Sequence, residues 1–137
     1  DLCSRCLIEI DTVLHSTWSC ERIAPFITHL VVFLKTKCTV GVDINMKNYL
    51  YLFGFQGDKF LGLNHILLES KKFIFYNWEE NVRVEQLLER FKRRIMHLII
   101  KEKTIALGGN NFDTFRVKWE KFTKIYDFFG PDYQIIV

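Results

Sequence analysis

No run of this sequence reaches the roughly 18–20 uninterrupted apolar residues that a membrane span needs. The N-terminus lacks the basic-then-apolar layout of a signal peptide. There is no internal repeat, no low-complexity tract and no linker long enough to divide the chain. Neither sign of charge is in large excess: 19 Lys and Arg face 16 Asp and Glu, for a formal net charge of +3 and a pI near 8.7. That is mildly basic and well short of the footprint of a free-standing nucleic-acid binder, so bulk charge decides nothing. Cysteine is scarce as well. Three of the four fall within the first twenty residues, and Cys38 stands apart. A disulfide scaffold would spread more cysteines over a smaller, loop-rich chain. In a reducing, intracellular setting these are metal ligands or spare thiols.

Enzymatic signatures are missing too. Glu79-Glu80 is an adjacent pair, and neighbours on a helix point apart. Gly108-Gly109 has neither the following Lys-Ser/Thr nor the preceding strand of a phosphate loop. No Ser or Cys sits in a nucleophile elbow.

What is present is apolar and aromatic. Of 137 residues 49% are hydrophobic, with thirteen Phe, which excludes a disordered tail and suits one ordinary domain with a real core. The chain begins at Asp1, two residues before its first cysteine, and reads as a piece of a longer polypeptide.

Apolar residues recur at three and four from Ile23 to Leu34, predicting a helix with Pro25 in its first turn. Residues 36–48 are a polar, turn-rich connection. Tyr49–Phe55 is a short apolar run broken by Gly54, and Gln56-Gly57-Asp58 is a turn. Asn64 is the expected N-cap of a helix to about Trp78, whose Ile66, Leu67, Leu68, Phe73, Ile74 and Phe75 wrap most of its circumference, the mark of a central helix. A longer helix over Val82–Ala106 puts Val84, Leu87, Leu88, Phe91, Ile95, Leu98 and Ile99 on one face. Gly108-Gly109-Asn110-Asn111 stops it, with glycine available for a left-handed cap. A last helix covers Phe112–Phe129, with Phe115, Trp119, Phe122 and Tyr126 inward, before Gly130-Pro131. The expected architecture is mostly α: a small N-terminal knuckle over residues 1–22, then a bundle of about four helices over 23–137.

The sharpest local pattern is Cys3-x2-Cys6-x8-His15-x4-Cys20. Zinc favours four tetrahedral sulfur and nitrogen ligands, and Cys3His is a common closed set. A two-residue gap lets both thiolates of one tight turn face a single ion, with His15 and Cys20 closing the other side. Four protein ligands leave no position for an activated water, so such an ion is structural. The alternative is three small apolar cysteines and a satisfied histidine. Cys38, His29, His65 and His97 sit inside apolar helical patterns and read as core or helix-surface residues.

The strings Cys3-Ser4-Arg5-Cys6, Thr12-Val13-Leu14-His15, Trp18-Ser19-Cys20 and Ile23-Ala24-Pro25-Phe26 resemble the cysteine–histidine knuckle near the C-terminus of non-LTR (LINE-type) retrotransposon reverse transcriptases. Downstream, Asn64–Ile74 is similar to that family's segment with paired leucines followed by lysine. Lys101-Glu102-Lys103 and Phe115–Trp119 resemble its terminal helices, which close on a Lys-Trp pair. The helical parts are loose patterns, and the knuckle is the sharp one. The resemblance implies Cys3, Cys6, His15 and Cys20 as zinc ligands. It also implies a non-catalytic accessory segment that supports RNA binding in target-primed reverse transcription, inside a ribonucleoprotein of nucleus and cytoplasm. Its partners would be RNA, DNA and the upstream reverse transcriptase domains. Polymerase and endonuclease activities belong to those upstream domains, and no Asp-Asp pair occurs here.

Arg83, Arg90, Arg94, His97 and Lys101 project onto one stripe of the long helix. Such a row can track phosphates, or it is a solvated edge whose charges pair with Glu79, Glu80 and neighbouring acids. Arg5, Arg22, Lys35 and Lys37 form a second candidate basic surface. Trp18 can stack on an unpaired base or pack under the knuckle, and packing is the preferred reading. A different class of function stays open: a zinc-stabilised helical module that binds protein. So does a third, a segment packed against its own upstream domain.

Overall fold

Pro25 sits in the first turn of helix α1, Ala24–Thr36, where its missing N–H is not needed. The computed structural model describes residues 1–36, 38, 43–45, 55 and 60–122. Among them follow α2 (Leu61–Asn77), α3 (Val84–Gly109) and α4 (Phe112–Trp119), and a π-helical turn at His15–Ser19 precedes α1. No strand occurs among the described residues, and Leu2 and Ile10 form an isolated antiparallel bridge. The protein is mostly α, as the periodicity predicts, with a cysteine–histidine cluster at its N-terminus, as the spacing of those residues predicts. No described helix is long and apolar enough to cross a membrane.

Helix α3 is the spine. Its 26 residues make a rod of about 39 Å at ~1.5 Å per residue. The 3.6-residue stripe read from sequence is the face that α1, α2 and α4 cover, with Leu87, Phe91, Ile95 and Ile99 fully buried. One phenylalanine from each of α1, α2 and α3 meets at the centre. Phe26 lies 6.1 Å from Phe73 and 5.7 Å from Phe91, and Phe73 lies 5.3 Å from Phe91. Cys3 and Cys20 belong to the same buried cluster, so the knuckle and the helices share one core.

Helix α4 is held by a glycine and a carboxylate. A Cβ on Gly62 of α2 would strike the Lys118 carbonyl oxygen and stand 2.8 Å from the Phe122 ring, so only glycine allows this approach. Glu102 of α3 accepts hydrogen bonds from the Trp119 indole N–H and from Lys118 Nζ, the latter at 3.0 Å. Lys118 also reaches His65 Nδ1 at 3.0 Å. Burial, reinforced by the Lys118 charge, holds His65 below its ordinary value, so the neutral ring accepts that bond. The Lys118–Trp119 pair thus locks α4 to α2 and α3.

Several local expectations change. Asn64 does not cap α2, which begins three residues earlier at Leu61. Its side-chain amide instead clamps Phe55: Nδ2 donates to the Phe55 carbonyl at 2.7 Å, and Oδ1 accepts the Phe55 N–H at 3.0 Å. Gly108 and Gly109 extend α3, and Asn110 takes the left-handed cap at φ 62°, a conformation its short polar side chain tolerates. Phe75, placed inward by spacing, is 73% exposed. The described part of the last helix ends at Trp119, followed by a 3-10 turn to Phe122. Most of residues 36–48, the run 49–55 apart from Phe55, the turn 56–58, and everything after Phe122, including Tyr126, lie outside the described residues.

Candidate metal centre

Residues 1–11 form a tight hairpin. The Cys3 N–H donates to the Glu9 carbonyl at 2.8 Å, and the Asp11 N–H to the Asp1 carbonyl at 3.0 Å. Between them the chain turns sharply over the two cysteines, and Leu7 pays with a left-handed φ of 58°. A side chain with a Cβ costs about 1–2 kcal/mol there. Leu7 is 68% exposed, so packing does not repay the strain. What the turn secures is the aim of backbone N–H groups: those of Arg5 and Cys6 point at Cys3 Sγ, and those of Ile8 and Glu9 at Cys6 Sγ. Replacing Leu7 by Gly is expected to raise stability by about 0.5–1 kcal/mol, the relieved strain less the extra chain entropy of glycine. A lower thermal midpoint for Leu7→Gly would contradict a strained turn at this position.

The other half is helical. Thr12 Oγ1 accepts the His15 N–H at 3.1 Å, the bond of a helix N-cap. The turn then widens, and the Cys20 N–H reaches the His15 carbonyl five residues back at 2.8 Å. With α-helical winding of ~100° per residue, positions five apart would diverge by about 140°. The π-turn reduces that divergence and brings His15 and Cys20 to one side, as such turns often do at functional sites. Arg5 Nη1 joins the two halves by donating to the Ser16 carbonyl at 2.8 Å.

Cys3, Cys6, His15 and Cys20 offer ligand atoms that all lie within 4.8 Å of one another. Cys3 Sγ is 3.9 Å from Cys20 Sγ, and Cys6 Sγ is 3.3 Å from His15 Nε2. Burial opposes ionisation of Cys3, but the N–H groups of Cys6 and Arg5 and the neighbouring thiols overcome it and hold Cys3 below the usual thiol value. The N–H groups of Glu9 and Ile8 do the same for Cys6. Burial keeps Cys20 above that value, although the Arg22 N–H points at it. Three sulfurs met by directed N–H groups, with one imidazole nitrogen, can hold a metal ion. Cys38 differs: burial alone pushes its thiol up to about 12, and it is not in the cluster. His29 and His97 are exposed, and His65 lies in the α2–α4 network.

Against known proteins, no family model matches the chain, and neither does any curated protein or solved structure.

Trp18 is partly buried beside α1, lining a groove with Ala24, Ile27, Val31 and Ile44. Arg83, Arg90, Arg94, His97 and Lys101 share the open edge of α3, all exposed. Arg90 pairs with Glu79 at 3.4 Å and Arg94 with Glu69 at 3.3 Å, while Arg83 and Lys101 make no ion pair among the described residues. The second basic surface is not free. Arg5 and Arg22 lie over the Trp78 ring at 5.7 and 5.4 Å, and Arg22 Nη2 donates to the Glu80 carbonyl at 2.7 Å. They tie the knuckle to the α2–α3 connection, an arrangement no local spacing encodes. Lys35 pairs with Asp43 at 3.3 Å, and Lys37 lies outside the described residues.

Proposed function

We propose that the chain is a zinc-stabilised, nucleic-acid-associated C-terminal segment of a LINE-type retrotransposon reverse transcriptase. It supports RNA binding in target-primed reverse transcription, within a nuclear and cytoplasmic ribonucleoprotein, and carries no catalytic centre of its own. One observation carries the metal half: four donors, spread over eighteen residues, converge on one point. Bond lengths of about 2.3 Å for sulfur and 2.0–2.1 Å for nitrogen imply tetrahedral edges of about 3.8 Å between sulfurs and about 3.6 Å between sulfur and nitrogen. The Cys3–Cys20 sulfurs at 3.9 Å lie close to the first edge, the Cys6 Sγ–His15 Nε2 separation of 3.3 Å is shorter than the second, and all four donors lie within 4.8 Å of one another. Zinc suits this soft, closed set, in which Cys3, Cys6, His15 and Cys20 take every position. The ion then stiffens the fold and activates no water. The nucleic-acid half is supported by the resemblance of the knuckle and by the exposed cations along α3.

A second reading, a zinc-stabilised module that binds protein, is favoured by a different observation. Leu2, Leu7, Ile8, Ile10 and Val13 are all exposed on the outer side of the knuckle. One measurement tests the zinc that both readings share, and a second separates them. Metal analysis of the reduced protein is expected to give one zinc per chain, and Cys6→Ser to lose it; a metal-free wild-type protein would end the proposal. Titration with RNA at two salt concentrations should show affinity falling steeply with salt. Salt-insensitive or absent binding selects the protein-binding reading.

A further inference from the structure

The exposed side of α2 carries an aromatic pair, of which Phe75 belongs to the apolar set that the spacing wraps around this helix. Phe75 and Tyr76 are 73% and 76% exposed, with ring centroids 5.0 Å apart at 88°. An edge-to-face pair uses one ring face at most and leaves the others open. A lone exposed aromatic needs no explanation, but these two stand beside a row of cations. Segments 69–76 and 89–97 hold six cations (Lys71, Lys72, Arg90, Lys92, Arg93 and Arg94) against two carboxylates, Glu69 and Glu89, and Glu79 pairs with Arg90. The two segments carry +4 in a chain whose formal net charge is +3. Only Lys92 is buried, over the Phe33 ring at 5.2 Å.

The two segments form one surface. Glu69 receives Lys72 Nζ at 3.0 Å and Arg94 Nε at 3.3 Å, which fixes the flank of α2 that faces the basic edge of α3. At ~100° per residue Tyr76 projects close to that flank, one turn beyond Lys72, with Phe75 beside it. Burial opposes the Glu69 charge, but Lys72 and Arg94 hold its carboxyl below the usual range, so it remains an anchor for both cations. Arg90 and Arg94 keep about half of their side chains open to solvent. The exposed Arg90–Glu79 pair contributes at most about 1 kcal/mol, so a phosphate can take over that guanidinium, while Arg94 keeps Nε on the buried Glu69 carboxylate and offers its remaining N–H groups.

We propose that this α2–α3 surface binds single-stranded nucleic acid, with bases stacking on Phe75 and Tyr76 and the backbone running past Lys72, Arg90 and Arg94. It rests on the nucleic-acid reading above and gives that reading a substrate class and a place. Stacking requires unpaired bases, because a duplex hides its ring faces, and it tolerates any base. Aromatics and arginine are enriched at protein interfaces too, whereas lysine is depleted there; the row of cations beside the two rings is what favours nucleic acid over a protein partner.

The test uses the full, zinc-loaded chain and fluorescence anisotropy with a short oligouridylate and with a duplex RNA of equal length. The single strand is expected to bind more tightly. Phe75→Ala with Tyr76→Ala should weaken it about tenfold or more with the salt slope unchanged, as stacking energies imply. Arg90→Gln with Arg94→Gln should instead reduce that slope by about 1.4, at ~0.7 per phosphate on a single strand. Unaltered zinc content and helical signal show that these surface variants remain folded. Wild-type affinity in the aromatic variant, or preference for the duplex, overturns this surface while leaving RNA binding elsewhere intact. Absence of binding to either RNA at low salt overturns both, and assigns the aromatic pair to a protein contact.

Discussion

Stripping the metal with a strong chelator is expected to unfold residues 1–20 and to leave α2, α3 and α4 helical. The reason is what the knuckle buries. Its buried side chains are Cys3, His15 and Cys20, which are three of the proposed ligands, whereas Leu2, Leu7, Ile8, Ile10, Val13 and Leu14 all face solvent. Without an ion the segment has almost no apolar core of its own, only what Cys3, Cys20 and Trp18 share with the helices. It also has to keep three sulfurs and an imidazole nitrogen within 4.8 Å of one another. Structural zinc contributes roughly 10–16 kcal/mol in small knuckles, which exceeds anything the hairpin bonds of residues 1–11 supply. Hydrogen exchange reads the effect by region: amide protection over 1–20 should vanish on chelation and return with zinc, and α3 should keep most of its own. Trp78 should report it too, because Arg5 leaves its ring when the hairpin opens. The folded domain should lose about 4 kcal/mol relative to a state with free zinc a thousandfold above its dissociation constant. Cys20→Ser should reproduce the loss. Cys38→Ser should keep one zinc per chain, because that thiol lies outside the cluster. Protection of residues 1–20 that survives chelation would show that the hairpin and π-turn stand without metal.

The cysteine–histidine cluster and the spine were legible in the sequence for the same reason: each depends on spacing along a short stretch of chain. Cys3, Cys6, His15 and Cys20 lie within eighteen residues, and the buried face of α3 repeats at 3.6. What escaped depends on distant neighbours. Trp78 captures Arg5 and Arg22 from more than fifty positions away, which turns an expected basic surface into a structural tie. Asn64 is a good capping residue by type, yet the bond it makes is to Phe55, and α2 gains its first turn from residues upstream. In Phe73-Ile74-Phe75-Tyr76 four apolar or aromatic residues follow one another, so no periodicity tells the inward pair from the outward pair. Packing of Phe73 against Phe26 and Phe91 makes that choice. The left-handed cap is subtler. Glycine is the better residue for it, but α3 runs three residues past Ala106, through both glycines, and Asn110 is what stands at its end.

Phe91→Ala is expected to cost about 3–5 kcal/mol. Phe91 is 1% exposed and touches the central phenylalanines of both α1 and α2, so truncation removes two aromatic contacts as well as the buried area. A void of about 10 Å³ already lies between Phe91, Leu30, Phe33, Ile66, Lys92 and Ile95, and the variant would enlarge it beside a buried lysine head group. Water drawn to Lys92 would loosen α1 from α3 in turn. Against a typical total of about 5–15 kcal/mol, such a loss is a third or more. The urea midpoint should fall with its slope unchanged, and Phe91→Leu should recover most of it. The same variant separates scaffold from site. Arg90 and Arg94 flank Phe91 on α3, and Phe73, which packs on it, precedes Phe75 and Tyr76 on α2. Loosening that junction should therefore weaken oligouridylate binding without removing any residue that touches the strand. Zinc content should stay at one per chain, because the four ligands come from the first twenty residues and are held by the ion itself. A Phe91→Ala protein with an unchanged urea midpoint would mean that α1 and α2 do not depend on α3 for their packing.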